Sequence, residues 1–225
     1  MNSIDLLGIP SAIIALLIAI VGHEIMHGWV AFKYGDMTAK KNGRLSINPL
    51  VHIDPIGSIL VPLLTYFLPM LLGASSGFLF GWAKPVPVNI QTVIRNGGYN
   101  AAIQVSLAGI VYNLFLATLF SVILTSMHEP SAQDSLMYVF SLMLIIALVK
   151  INVVLAVFNL LPIPSFDGAH FVIYMALKFR VLKVAEFFAK AEPYGMIVII
   201  LILMTPLKMP LLIWPVSTLL NLLLS

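Results

Sequence analysis

Cysteine is absent from the 225 residues, which excludes disulfides and thiolate metal ligands alike. Any metal bound by this chain must be held by histidine or carboxylate. Charge is scarce as well. The 12 Lys and Arg and 9 Asp and Glu make up only 9% of the chain, where soluble domains carry about a quarter. A surface so poor in charge cannot face mainly water. The net charge of +3 is small and dispersed, so it leaves no footprint for nucleic acid. No linker, low-complexity tract or internal repeat divides the sequence. What is present in quantity is apolar: 60% of the residues are hydrophobic and mean hydropathy is +1.04. These values predict an all-α polytopic protein embedded in a lipid bilayer, with about five to six transmembrane helices. One domain is expected over 1–225, its main body at about 8–170 and amphipathic and membrane segments over 171–225.

Inside the first apolar run stands Gly22-His23-Glu24-Ile25-Met26-His27-Gly28. Histidines four residues apart fall on one helix face, one turn from each other. Both imidazoles can then reach one zinc ion, with Glu24 bordering the same cleft. In an exposed soluble helix the same pattern would be a solvated face. Here a carboxylate within a membrane helix costs ~2.5–3.5 kcal/mol at the centre, so Glu24 between two histidines calls for a partner. A metal is the simplest one, and a hydrogen-bonded structural cluster is the alternative.

The first helix is expected to start near Ile9–Ser11 and to run to about Tyr34, as a retained span and not a signal peptide. Lys33, Lys40, Lys41 and Arg44 then mark the loop 35–55 as cytoplasmic, which places the N-terminus outside and the histidines towards the cytoplasm. Asn48-Pro49 and Asp54-Pro55 read as turn and helix-start signals. A second apolar segment covers about 56–73. Pro85 and Pro87 then forbid a regular helix. The ten or so residues before Lys84 are too few to cross as a helix, yet the chain has to leave and return. Segment 74–90 is therefore expected to be re-entrant and extended, beside the metal site and buried in protein or lining a watery cavity. Helices follow at about Tyr99–Ser126 and Ser135–Leu160, joined outside by a loop without Lys or Arg. An interfacial amphipathic stretch extends to about Pro193. The tail 194–224 is one kinked span or two short pieces.

A catalytic zinc usually takes three protein ligands and keeps a fourth position open. The best third donor is Asp167, in Asn159-Leu160-Leu161-Pro162-Ile163-Pro164-Ser165-Phe166-Asp167-Gly168, where two prolines end the fourth helix on the leaflet of the histidines. An Asp-Gly at a helix end is also a common turn or N-cap, and that reading stays open. His52 is a further possible ligand, with a hydrogen-bonding role in its loop as the simpler reading.

These motifs together resemble the site-2 protease family of intramembrane zinc metalloproteases, in its small bacterial branch without a PDZ domain. The resemblance rests on His23–His27, on Asn159–Gly168, on Gly43–Pro49 with His52–Gly57, and on Gly81–Asn89. It implies His23, His27 and Asp167 as ligands of one zinc per chain, and Glu24 as catalytic base. It departs at Phe166, where Leu is usual, and at Gly109-Ile110-Val111-Tyr112-Asn113, which lacks the proline of Gly-Pro-x-x-Asn. The implied activity is cleavage of a peptide bond in or near the transmembrane helix of a single-span membrane protein or signal-peptide remnant. The implied location is a bacterial inner membrane. Asn159 and Asn113 are candidates for holding the substrate or its oxyanion. Asn159 has a second reading, satisfying backbone groups freed by the prolines. An extended 74–90 segment is expected to pair with an unwound substrate by strand addition. The alternatives are a membrane metal or ion transporter using the same donors in transit, and a catalytically inactive scaffold.

Overall fold

The computed structural model describes residues 3–61, 63–64, 83–131 and 133–225. No strand occurs among them. Helix α1 (Ser3–Lys33) starts earlier than the sequence pattern suggests, with Pro10 inside it. A proline there costs one hydrogen bond of the early turns, and the Ser11 hydroxyl bonds the Leu7 carbonyl at 2.7 Å. After α1 come three short turns of helix, Thr38–Lys41, Pro49–His52 and Pro55–Leu60. The last two begin as the Asn-Pro and Asp-Pro pairs suggest. The Asn48 side chain accepts from the Leu50 amide, and that of Asp54 from the amides of Ile56 and Gly57. Most of the second apolar segment, and residues 74–82 of the expected re-entrant stretch, lie outside the described residues. Within them, 83–89 is non-helical, as alternate prolines require.

Helix α2 (Ile90–Leu124) is opened by the Asn89 side chain, which accepts from the Thr92 amide. Gly98, at φ 66°, breaks its run. The expected start at Tyr99 is therefore the start of its second part, and 90–97 is an additional short helix. Helix α3 (Leu136–Leu160) is capped by Ser135, whose hydroxyl accepts from the Tyr138 amide. The expected amphipathic stretch is two helices, α4 (Asp167–Lys178) and α5 (Leu182–Ala191). The tail forms α6 (Gly195–Met204) and α7 (Trp214–Leu224), separated around Pro206 and Pro210. It is in two pieces.

Among the described residues, four stretches are long and apolar enough to cross a membrane: Leu7–Lys33, Ile90–Leu124, Leu136–Leu160 and Leu182–Met204. A shorter apolar one covers Met209–Leu224. Helices α1, α2 and α3 pack against one another, and α4 lies across α2. Small residues line these contacts: Ala15, Ala19 and Ala31 on α1, Ala101, Ala102 and Ala108 on α2, and Ala156 on α3 are all buried. Small side chains let apolar helices approach closely where lipid offers no hydrophobic drive between them. Large apolar residues such as Ile13, Phe115, Val122, Ile197 and Leu201 stand on the outside, as lipid-facing positions do. This packing brings the second half of α1, with His23 and His27, to the start of α4.

Candidate metal centre

His23 and His27 project from the second half of α1 into the bundle, and α4 begins with Asp167 directly in front of them. Their donor atoms form a triangle. His23 Nε2 lies 3.0 Å and His27 Nε2 3.2 Å from Asp167 Oδ2, and the two Nε2 atoms are 3.1 Å apart. Among the described residues, these three are the one group of His and carboxylate side chains arranged to hold a metal ion.

The far sides of the two rings decide what the near sides can be. His23 Nδ1 lies 2.6 Å from Asn113 Oδ1, and His27 Nδ1 lies 2.7 Å from the Val105 carbonyl oxygen. A carbonyl oxygen can only accept, so each Nδ1 carries a hydrogen and each neutral ring turns a lone pair at Nε2 towards Asp167. Asp167 Oδ2 is buried and receives no hydrogen bond. With both rings neutral, three lone pairs meet with no donor among them, an arrangement that repels itself unless a proton or a metal cation shares it. Ligands of one tetrahedral ion at ~2.0–2.1 Å stand roughly 3.3 Å apart, close to the observed edges. Two imidazoles and one carboxylate, without sulfur, are a donor set of catalytic zinc sites.

The local sequence makes this geometry possible. A β-carbon on Gly109 of α2 would overlap the His23 ring. Glycine there is what lets the ring lie against the helix backbone. At the other donor, Pro162 and Pro164 end α3, and the turn closes with Ile163 N–H to Leu161 O (2.8 Å) and Phe166 N–H to Ile163 O (3.0 Å). Gly168 then packs so closely on the Leu160 and Leu161 carbonyl oxygens that a β-carbon has no room. The proline absent from Gly109–Asn113 has no local consequence, since α2 runs through these residues and its non-helical residue is Gly98.

Glu24 lies beside the triangle and lines a cavity of about 640 Å³ with His23, His27, Asn159, Asp167 and His170. Its Oε2 accepts from the Val86 amide at 2.8 Å. The extended 83–89 segment is tied down along its length: Lys84 N–H donates to the His52 carbonyl (2.9 Å), the Arg44 guanidinium to the Lys84 carbonyl (2.6 Å), and Asn89 N–H to Asp36 (2.6 Å). Pro85 and Pro87 have no N–H, and those of Lys84 and Val86 are engaged. This part of the segment is a strap holding Glu24, with few free donors for a substrate strand.

One expected role needs revision, and one choice between readings is made. Asn113, a candidate for contact with substrate, is fully buried behind His23, and its amide donates to Asn152 Oδ1 (2.8 Å) and to the Ala19 carbonyl (3.2 Å). It orients a histidine instead of facing the cavity. His52 stands apart from the triangle, its Nε2 on the Ser46 carbonyl at 2.8 Å, in the hydrogen-bonding role. Asn159 does line the cavity, and its amide nitrogen donates to the Leu155 carbonyl of its own helix (3.0 Å). Sequence reasoning missed Asn152, Arg44 and Asp36. A signal for Asn152 existed: an amide inside a mostly apolar membrane helix requires a partner.

The sequence profile described as Peptidase family M50 matches residues 124–203, the stretch that carries Asn159 and Asp167. YwhC of Bacillus subtilis, named as a zinc metalloprotease, is 35% identical over 213 residues, spanning 92% of this chain and 85% of YwhC. The chain belongs to peptidase family M50. Rip2 of Mycolicibacterium smegmatis, also named as a zinc metalloprotease, is 29% identical over 192 residues, spanning 84% of this chain and 65% of Rip2. No solved structure matches the chain significantly. This M50 peptidase is thus a zinc-dependent integral membrane protease acting on a membrane substrate in a lipid bilayer. The transporter and scaffold readings give way to it.

Proposed function

We propose that His23, His27 and Asp167 are the zinc ligands and that Glu24 is the general base. The protease then cuts a peptide bond in or near the transmembrane segment of a single-span membrane protein or a signal-peptide remnant. The observation that carries the ligand assignment is the meeting of three ligand atoms, Nε2 of His23, Nε2 of His27 and Oδ2 of Asp167, at 3.0–3.2 Å.

Zinc, when bound, polarises the scissile carbonyl and brings the pKa of a water towards neutrality. The chain supplies the rest. Glu24 takes the proton as the water attacks and passes it to the leaving amine, with the Val86 amide holding its carboxylate in one orientation. Asn159, on the cavity wall, is the candidate donor to the oxyanion. A substrate helix must unwind to present its carbonyl. Lys33, Lys40, Lys41 and Arg44, with Lys84 and Arg95, favour the cytoplasm of a bacterial inner membrane for this end of the bundle.

Metal analysis of detergent-purified protein tests the site. The expected result is about one zinc per chain in wild type, lost in His23→Ala and in Asp167→Ala. Zinc retained by Asp167→Ala moves the third ligand elsewhere. Because the chain has no cysteine, single variants Gly43→Cys and Ser131→Cys report topology directly. Labelling of the first by an impermeant thiol reagent in intact cells would reverse the orientation.

A further inference from the structure

Behind the triangle, away from the cavity, runs a chain of buried amides. Asn152 Nδ2 donates to the Leu148 carbonyl of its own helix at 2.8 Å. Asn152 Oδ1 accepts from Asn113 Nδ2 at 2.8 Å, and Asn113 Oδ1 lies 2.6 Å from His23 Nδ1. Both asparagines are 0% exposed. The direction of the chain is set at its far end. The Leu148 carbonyl only accepts, so Asn152 must aim its nitrogen there and its oxygen at Asn113. Asn113 must then aim its nitrogen at Asn152 and at the Ala19 carbonyl, and its oxygen at His23. Turning either amide over would bring two donors, or two acceptors, face to face in a medium without water. Asn152 sits on α3, Asn113 on α2 and His23 on α1. One directional string crosses all three helices and ends on a metal donor.

We propose that Asn152 is a positioning residue of the metal centre. Through Asn113 it fixes His23 in the Nδ1–H tautomer, so that Nε2 is always a free lone pair. The proposal rests on the reading of His23 as a zinc ligand. Without Asn152, Asn113 loses the shorter of its two bonds, and only the longer one, to the Ala19 carbonyl at 3.2 Å, opposes the turning over of its amide. A turned amide would present N–H to His23, force the Nε2–H tautomer and put a hydrogen where the ion belongs. Outer partners of metal-bound histidine typically contribute ~10–100-fold in metal affinity.

The test is zinc affinity of the full chain in detergent, by competition with a chromogenic chelator, for wild type, Asn113→Leu, Asn152→Leu, the double variant and Asn152→Asp. We expect Asn152→Leu to bind zinc ~10–100-fold more weakly and the double variant to be no worse than Asn113→Leu, since the two act in series. Asn152→Asp should bind as wild type does. Buried in the bundle its carboxyl stays neutral, so its O–H can serve Leu148 and its carbonyl oxygen Asn113. Unchanged affinity in Asn152→Leu, or losses that add in the double variant, would overturn the proposal. If Asn152→Leu does not fold, Asn152→Asp decides: a folded protein with tenfold weaker zinc binding overturns it, and wild-type affinity supports it. Failure of the ligand reading looks different, because wild type itself would then bind no zinc or Asp167→Ala would retain it.

Discussion

The imidazole of His23 occupies the space that a β-carbon on Gly109 would need. Gly109→Ala should therefore displace the ring without unfolding the bundle. Overpacking of this kind costs ~1–3 kcal/mol, or roughly 5–150-fold in zinc affinity at 1.4 kcal/mol per decade. Metal analysis beside circular dichroism checks it. Full zinc binding in the variant would mean that the ring has another place to go.

Glu24 makes no side of the triangle. Glu24→Gln should keep its zinc and lose cleavage of a single-span reporter by ~10²–10⁴-fold, the usual contribution of a general base. Paired measurements of zinc content and proteolysis separate the two. Wild-type cleavage in the variant would assign the base elsewhere.

Arg44 reaches the strap through the carbonyls of Lys84 (2.6 Å) and Pro85 (3.2 Å), and it touches no metal donor. Removing hydrogen bonds to a charged group costs ~1.5–3 kcal/mol. In Arg44→Ala the amides of Lys84 and Val86 should exchange faster with deuterium and cleavage should slow, while zinc content stays at the wild-type level. Unaltered exchange would show that the other ties hold the strap alone.

Gly168 abuts backbone oxygens of Leu160 and Leu161, which cannot step aside as a side chain can. Gly168→Ala should lower the thermal unfolding temperature of the zinc-loaded protein, through ~1–3 kcal/mol of strain in the Asp167 turn. An unchanged melting curve would show that this turn relaxes freely.

In the loop between α2 and α3, Asp134 accepts from the Ser131 amide and hydroxyl at 2.7 and 3.0 Å. Its pKa is held below the usual carboxylate value chiefly by that amide, with the hydroxyl and His128 adding to it. A carboxylate with a lowered folded pKa stabilises above its unfolded pKa, ~3.9, and the contribution is lost as pH falls through the folded value. Deuterium exchange at Ser131 should therefore rise, relative to Asp134→Asn, only below about pH 4. An equal response in both proteins would assign the acid sensitivity to another group.

Much of the centre was legible because its residue types are costly in lipid. His23, Glu24 and His27 stand at helical spacing in an apolar run, and the two prolines before Asp167 announce the end of α3. Ser135 was read as the start of α3, where it is the cap, and Tyr99 marked only the second part of α2 because Gly98 interrupts a helix that the pattern alone opens late. Arg44 and Asp36 looked like ordinary loop charges, since nothing local reveals that they bond a segment some forty to fifty residues away. Asn113 was noticed but given the wrong neighbour. Periodicity says which face of a helix is buried, and not which atom of another helix it meets. Asn152 escaped for the same reason: its meaning lies in a partner on α2.

The two histidines and the aspartate lie at opposite ends of most of the chain. His27 is made early, but the third corner of the triangle does not exist until residue 167 of 225 has been synthesised and α4 has folded back across α2. With Asp167 as the third ligand, as proposed, a nascent chain still lacking α4 would be hydrolytically incomplete. The order of the donors along the sequence would then delay hydrolysis until the bundle has closed.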